Sequence, residues 1–192
     1  MSAPNHSPTT LLSTFLTTTT SQILPLTRAG VFSGSKVFGA AILSRADLTP
    51  LTVSTNDERV SPLLHGEINC IQQFFTTAPS TADRPDTKDC IFFSTHEPCC
   101  LCLSGIAWAG FPEVYYLFTY EDTRDMFDIP HDINILEEVF RVPVEGESEE
   151  ARKRRPLYNR RNKFFEARSL GELVREIEDA EERTRQLSSE EV

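Results

Sequence analysis

At 192 residues, 39% hydrophobic and 25% charged, the chain is sized for one globular domain with an ordinary core and some extension. A net charge of −10 is the reverse of the balance expected of a protein that grips a phosphate backbone. No stretch approaches the roughly 18 apolar residues of a membrane span, and the Ser/Thr/Pro-rich start lacks the basic-then-apolar pattern of a secretory signal. Five cysteines, an odd number without a paired framework, point to a reducing compartment and so to a cytoplasmic or nuclear setting.

Residues 1–10 read as a disordered leader. Apolar residues from Leu11 to Leu26 predict a first helix, weakened by the β-branched run Thr17 to Thr20. Val37 to Leu43 is apolar throughout, as in a strand buried on both faces. Leu51 to Thr55 is a second strand, ended by Asn56-Asp57-Glu58. A second helix begins at His65, with Ile68, Ile71, Phe74 and Phe75 on one face. Thr76 to Lys88 carries prolines, small polar residues and charges and reads as a surface loop. Cys90 to Ser94 is a third strand, Cys99 to Gly110 a third helix closed by its glycine, and Val114 to Thr119 a fourth strand. Ile133 to Phe140 is a fourth helix, and Val142 to Val144 a short fifth strand. Residues 145–163 are a charged linker, followed by an amphipathic helix along Leu170, Leu173, Val174, Ile177, Ala180, Thr184 and Leu187. The alternation predicts a three-layer α/β/α sandwich around a central mixed sheet of about five strands.

Two short segments carry chemistry: His65-Gly66-Glu67 and, 34 residues after the histidine, Pro98-Cys99-Cys100-Leu101-Cys102. H-x-E followed by P-C-x-x-C is the pattern of zinc nucleobase deaminases. His65, Cys99 and Cys102 make three metal ligands, and zinc prefers four, so one position stays open for water. Zinc lowers the pKa of water it holds to about 7. Glu67 is placed to take that proton and to deliver protons to the ring and to the departing amine. Cys99 and Cys102 open a helix, whose dipole favours thiolate, and Pro98 suits its entry. A purely structural zinc site needs a fourth protein ligand. Cys100 points elsewhere on a helix, and Cys70 and Cys90 have no matching spacing.

The chain resembles the cytidine-deaminase-like superfamily, in the branch with bacterial guanine deaminases, fungal cytosine deaminase and tRNA adenosine deaminases. The resemblance spans about residues 37–140. It rests on FGAAIL at 38–43, Asn56, HGEIN at 65–69, EPCCLC at 97–102 and, more weakly, EDTRDMFDIPHDINILEEVF at 121–140. HGE rather than HAE is the spelling of fungal cytosine deaminase, and Val37 stands where the family usually has proline. The resemblance implies His65, Cys99 and Cys102 as Zn2+ ligands, Glu67 as proton shuttle and Asn56 as a substrate contact. It also implies pocket-lining backbone at Gly39 and Ala40, aromatic walls from Phe38 and Trp108, and a purine contact from Asp122. It further implies a homodimer, as in relatives that exchange C-terminal elements.

On this reading residues 11–144 form the zinc deaminase domain, and residues 145–192 cap the site or pack on that domain. The expected function is hydrolytic release of ammonia from a small nucleobase or related N-heterocycle, guanine- or cytosine-like, with no nucleic-acid partner. Two alternatives stand beside it. One is a tRNA-directed adenosine deaminase or its subunit, supported by the basic block Arg152-Lys153-Arg154-Arg155 with Arg160, Arg161 and Lys163. The other is a non-catalytic zinc-containing interaction subunit, which has no use for Glu67.

Overall fold

A computed structural model of the chain describes residues 6–77 and 84–190. Five strands form one mixed sheet in the order β2-β1-β3-β4-β5. They are β1 (Gly39–Ser44), β2 (Pro50–Thr55), β3 (Cys90–His96), β4 (Glu113–Phe118) and β5 (Glu166–Ser169). β1 runs antiparallel to both β2 and β3, while β3, β4 and β5 are mutually parallel. β2 therefore points the same way as β3, and their carboxyl ends share one edge of the sheet with the start of β1. Every residue of β3 is buried, and β1 is buried except at its last residue. This is the burial that their unbroken apolar sequences require when helices cover both faces.

Helices α1 (Pro8–Thr18), α2 (Leu24–Phe32), α3 (Gly66–Thr76), α4 (Cys100–Ala109), α5 (Tyr120–Phe127), α6 (His131–Ile135), α7 (Glu149–Arg154) and α8 (Leu170–Glu190) complete the chain. On one face, Phe74 of α3 and Leu103 and Ile106 of α4 pack on Ala40, Ile42, Phe92, Val114 and Tyr116. On the other, Leu11 and Phe15 of α1 with Leu170 and Leu173 of α8 cover Ala41, Leu43, Ile91, Phe93 and Tyr115. The three-layer sandwich predicted from the sequence is the fold observed.

Several element boundaries differ from the expectation. α1 begins at Pro8 with Ser7 as its cap, so Pro8, Thr9 and Thr10 of the expected leader are helical; residues 1–5 lie outside the described residues, as does 78–83 of the expected loop. The first helix continues through a π-helical turn, Thr19–Ile23, into α2. The threonines that weakened the prediction bond back to the turn before: Thr19 donates to the Phe15 carbonyl at 2.8 Å and Thr20 to that of Leu16 at 3.0 Å.

The fifth strand is not Val142 to Val144, whose valines are exposed around Pro143. It is Glu166–Ser169, which pairs with Glu113–Tyr116 of β4 and turns Ala167 and Ser169 inward. An alternating Glu-Ala-Arg-Ser segment fits a sheet edge with one wet face. α5 and α7 occupy stretches expected to lack helix. The C-terminal residues share the sheet through β5 and the core through α8.

Candidate metal centre

The carboxyl edge shared by β2 and β3 brings two helix starts together. His65 is the N-cap of α3 and Cys99 the N-cap of α4, both with extended backbone and neither capping with its own side chain. The first turn of α3 is capped from the preceding loop instead: the Gly66 N–H donates to Asn56 Oδ1 at 2.5 Å. The turn that delivers Cys99 is fixed by Tyr120, whose hydroxyl donates to the Pro98 carbonyl at 2.5 Å. Both His65 and Cys99 are thereby free to turn inward, and Cys102 joins them one helical turn later.

His65 Nδ1 lies 3.5 Å from Cys99 Sγ and 3.6 Å from Cys102 Sγ, and the three donor atoms all lie within 4.8 Å of one another. Zn–S of about 2.3 Å and Zn–N of about 2.0–2.1 Å at a tetrahedral angle place N and S about 3.6 Å apart. The donor set and its spacing therefore fit zinc. No fourth protein ligand joins the trio among the described residues. Cys70 donates instead to the Thr52 carbonyl at 3.6 Å and Cys90 to that of Asp86 at 3.5 Å. Cys100 is half-buried.

The electrostatics match a thiolate site. The Cys102 thiol beside it and the His65 imidazole hold Cys99 down to about 4, while the same contact pushes Cys102 up. His65 is raised, first by its bond to Cys99. Glu67, buried in the first turn of α3, is pushed up to about 7, chiefly by burial and then by the charge on Cys99. Its Oε1 accepts from Ser94 Oγ at 3.0 Å and its Oε2 from Cys102 Sγ at 3.4 Å. The carboxylate thus stands against the metal-binding trio without belonging to it.

Around this centre the expected substrate contacts are unevenly distributed. Asn56 is buried at the rim, with its carbonyl on Gly66 and its amide donating to Glu58 Oε1 at 2.9 Å. Phe38 is half-buried, edge-on to His96 at 4.6 Å. The Ala40 side chain belongs to the core beneath α3 and α4. Trp108 is 90% exposed on α4, about 13 Å along the helix from Cys99 at 1.5 Å per residue; it is not gathered with the trio. Asp122 closes the capping box of α5, accepting from Thr119 N and Oγ1 at 2.9 and 2.8 Å. Besides Glu67, the charge of Asp132 in α6 reaches the trio, and its own carboxyl is raised, first by burial and then by the charge on Cys99. Sequence reasoning missed Ser94, His96 and Asp132. Ser94 and His96 could have been flagged as polar residues ending an otherwise apolar strand. Asp132 could have been flagged as the acid just after Pro130 in the 121–140 stretch.

The fold is shared with a solved guanine deaminase. A guanine deaminase from Bacillus subtilis matches with 26% identity and a TM-score of 0.52, over 76% of this chain and 82% of its own. A guanine deaminase from Nitrosomonas europaea matches with 17% identity and a TM-score of 0.49, over 80% and 79%. A structure from work on tRNA:A34 deaminases matches with 21% identity and a TM-score of 0.43, over 57% and 86%. No curated protein matches in a sequence search. The family model for the cytidine and deoxycytidylate deaminase zinc-binding region matches residues 22–118, half of the sequence, which takes in β1 to β4, α3 and α4 and all three candidate ligands. With that match and this geometry, the chain belongs to the zinc-binding cytidine and deoxycytidylate deaminase family.

Proposed function

We propose that the protein is a zinc-dependent hydrolase that releases ammonia from a small amino-substituted nucleobase or related N-heterocycle, guanine- or cytosine-like. The observation that carries this reading is Glu67: buried, poised near neutrality, and against three metal ligands without being one. His65, Cys99 and Cys102 hold the zinc. When bound, zinc supplies a nucleophile at neutral pH by lowering the pKa of water to about 7. The chain's own residues do the rest. Glu67 would take one proton from the attacking water on Oε2, the oxygen beside Cys102, and deliver it to a ring nitrogen as the water oxygen bonds to the ring carbon; it would then take that oxygen's remaining proton and pass it to the amine, which departs as ammonia as the C–N bond breaks. A carboxyl group poised near 7 serves as base and as acid at neutral pH. Phe38 and Asn56 line the substrate side, with Asn56 exchanging its Glu58 partner for the ring.

Charge supports a small substrate. Of the seven residues of the basic block, Lys153, Arg155, Arg160 and Arg161 each have a carboxylate partner, in Glu149, Glu147, Glu172 and Glu166. Such pairing weakens the positive field that nucleic-acid binding needs. The likeness to the Bacillus subtilis guanine deaminase supports guanine first. The test is ammonia release from guanine, cytosine, adenine, their nucleosides and a tRNA transcript. Turnover of a free base supports the reading. Deamination of the tRNA alone, with tight and salt-sensitive binding, moves the assignment to an RNA-directed enzyme.

A further inference from the structure

Glu67 is held by a residue outside both motifs. Ser94 lies on the central strand β3, opposite Ala40 of β1 and Tyr116 of β4. Its side chain is fully buried, and its hydroxyl donates to Glu67 Oε1 at 3.0 Å. The other oxygen, Oε2, takes the Cys102 thiol at 3.4 Å. These two bonds have different fates. A cysteine binds metal as thiolate and gives up its proton on doing so. Cys102 as a ligand then has nothing to donate, and Oε2 is released toward the reactant. Ser94 undergoes no such change, and Oε1 stays bound to the sheet.

The orientation matters because the terminal torsion of a glutamate is soft and roughly two-fold. A carboxylate freed at both oxygens samples rotations that do not aim a lone pair at the proton to be moved. Tied at one oxygen to a strand paired on both sides, it presents the other in one direction. Proton transfer rewards such pre-set geometry.

We propose that Ser94 is a positioning residue for the deamination: its hydroxyl fixes Glu67 Oε1 against the sheet and so aims Oε2 at the substrate. This inference rests on the deaminase reading of the same site. It is separable from a merely structural hydroxyl, which must also find a partner when buried. A structural role costs stability. A positioning role costs the chemical step and leaves binding alone.

The experiment compares zinc-loaded wild type, Ser94→Ala and Ser94→Thr. For Ser94→Ala the expected result is full zinc content, a melting temperature within about 3 °C of wild type, KM within about threefold, and kcat lower by roughly ten- to a hundredfold. Ser94→Thr keeps the hydroxyl and restores most of kcat. Crystal structures of the zinc-loaded wild type and Ser94→Ala read the positioning without any turnover. The expected result is a Ser94–Glu67 bond near 3 Å in the first and a rotated or multiply placed carboxylate in the second. A wild type in which Glu67 has left Ser94, or a Ser94→Ala protein with unaltered kcat and carboxylate, overturns the proposal. So does a kcat loss accompanied by zinc loss or a collapsed melting temperature. If the crystal structures behave as expected and no base or nucleoside is turned over, the deaminase reading fails while the positioning of Glu67 stands.

Discussion

Gly66 separates the two functional residues of the first motif, and it has no room for a side chain. A β-carbon there would lie 2.9 Å from Gly39 Cα, 3.0 Å from the Phe38 carbonyl oxygen and 3.2 Å from Gly39 N. All three are backbone atoms, so no rotamer change relieves the clash. Gly39 cannot retreat easily, because Ile23 and Thr27 pack against its other side. Carbon atoms in contact prefer about 3.5–4.0 Å, so Gly66→Ala must move the first turn of α3 away from β1 by about 0.6–1 Å. Overpacking of this kind costs about 1–3 kcal/mol, which in a domain of this size lowers the melting temperature by about 2–12 °C. His65 and Glu67 move with the turn, and a misplacement of about 1 Å costs on the order of a hundredfold in rate. Thermal melts of zinc-loaded protein together with kcat/KM on the best base check both figures. A Gly66→Ala protein that melts within 1 °C of wild type, with activity within about twofold, refutes the idea that this backbone contact sets the position of the motif.

Glu67→Gln keeps fold and zinc but loses about 10²–10⁴ of the rate, since the amide cannot carry protons; turnover within a few-fold of wild type removes Glu67 from its role. His96 is buried among Phe38, Phe118 and Phe127, and burial lowers its pKa to about 4. The unfolded chain takes up this proton near pH 6.5 and the folded chain only near 4, so its stability contribution is complete above 6.5 and up to about 3 kcal/mol is lost as pH falls between them. Denaturant unfolding of wild type and His96→Leu across that window should show the loss in the first and a shallower one in the second; parallel curves contradict it. Replacing Arg152, Arg154 and Lys163 together by Gln should leave turnover of a free base within about twofold, whereas an RNA-directed enzyme would bind less tightly and with a flatter salt dependence.

The parts of this molecule that were legible in the sequence are local. His65 and Cys99 open helices because each ends a loop that follows a strand, and the apolar runs in β1 and β3 announce a sheet covered on both faces. The candidate metal ligands, which the structure gathers within 4.8 Å, were legible because two of them share one helical turn and the third starts another. What escaped was set by distant partners. β5 is four residues with no β-branched side chain, and only its pairing with β4 makes it a strand. α5 announces itself by the Thr119–Asp122 box, but its polar sequence carries no apolar stripe to draw attention. Ser94 gains its role from a contact 27 residues away in sequence, across from β3 to α3. The charge of Asp132 reaches Cys99 and His65 across more than thirty residues of sequence, which no local pattern announces. Trp108, which the family resemblance offered as a pocket wall, stands 90% exposed near the far end of α4 from Cys99.

The central claim is a three-ligand zinc site that leaves room for an oxygen from solvent. X-ray absorption at the zinc edge, on protein purified without chelators, tests it most directly. The expected result is one zinc per chain with two sulfur ligands at about 2.3 Å and two nitrogen or oxygen ligands at about 2.0–2.1 Å. In the Cys102→Ser protein one sulfur should disappear from that shell. A shell of three or four sulfurs, with Cys100 or another cysteine drawn in, or a protein that holds no zinc, would contradict it.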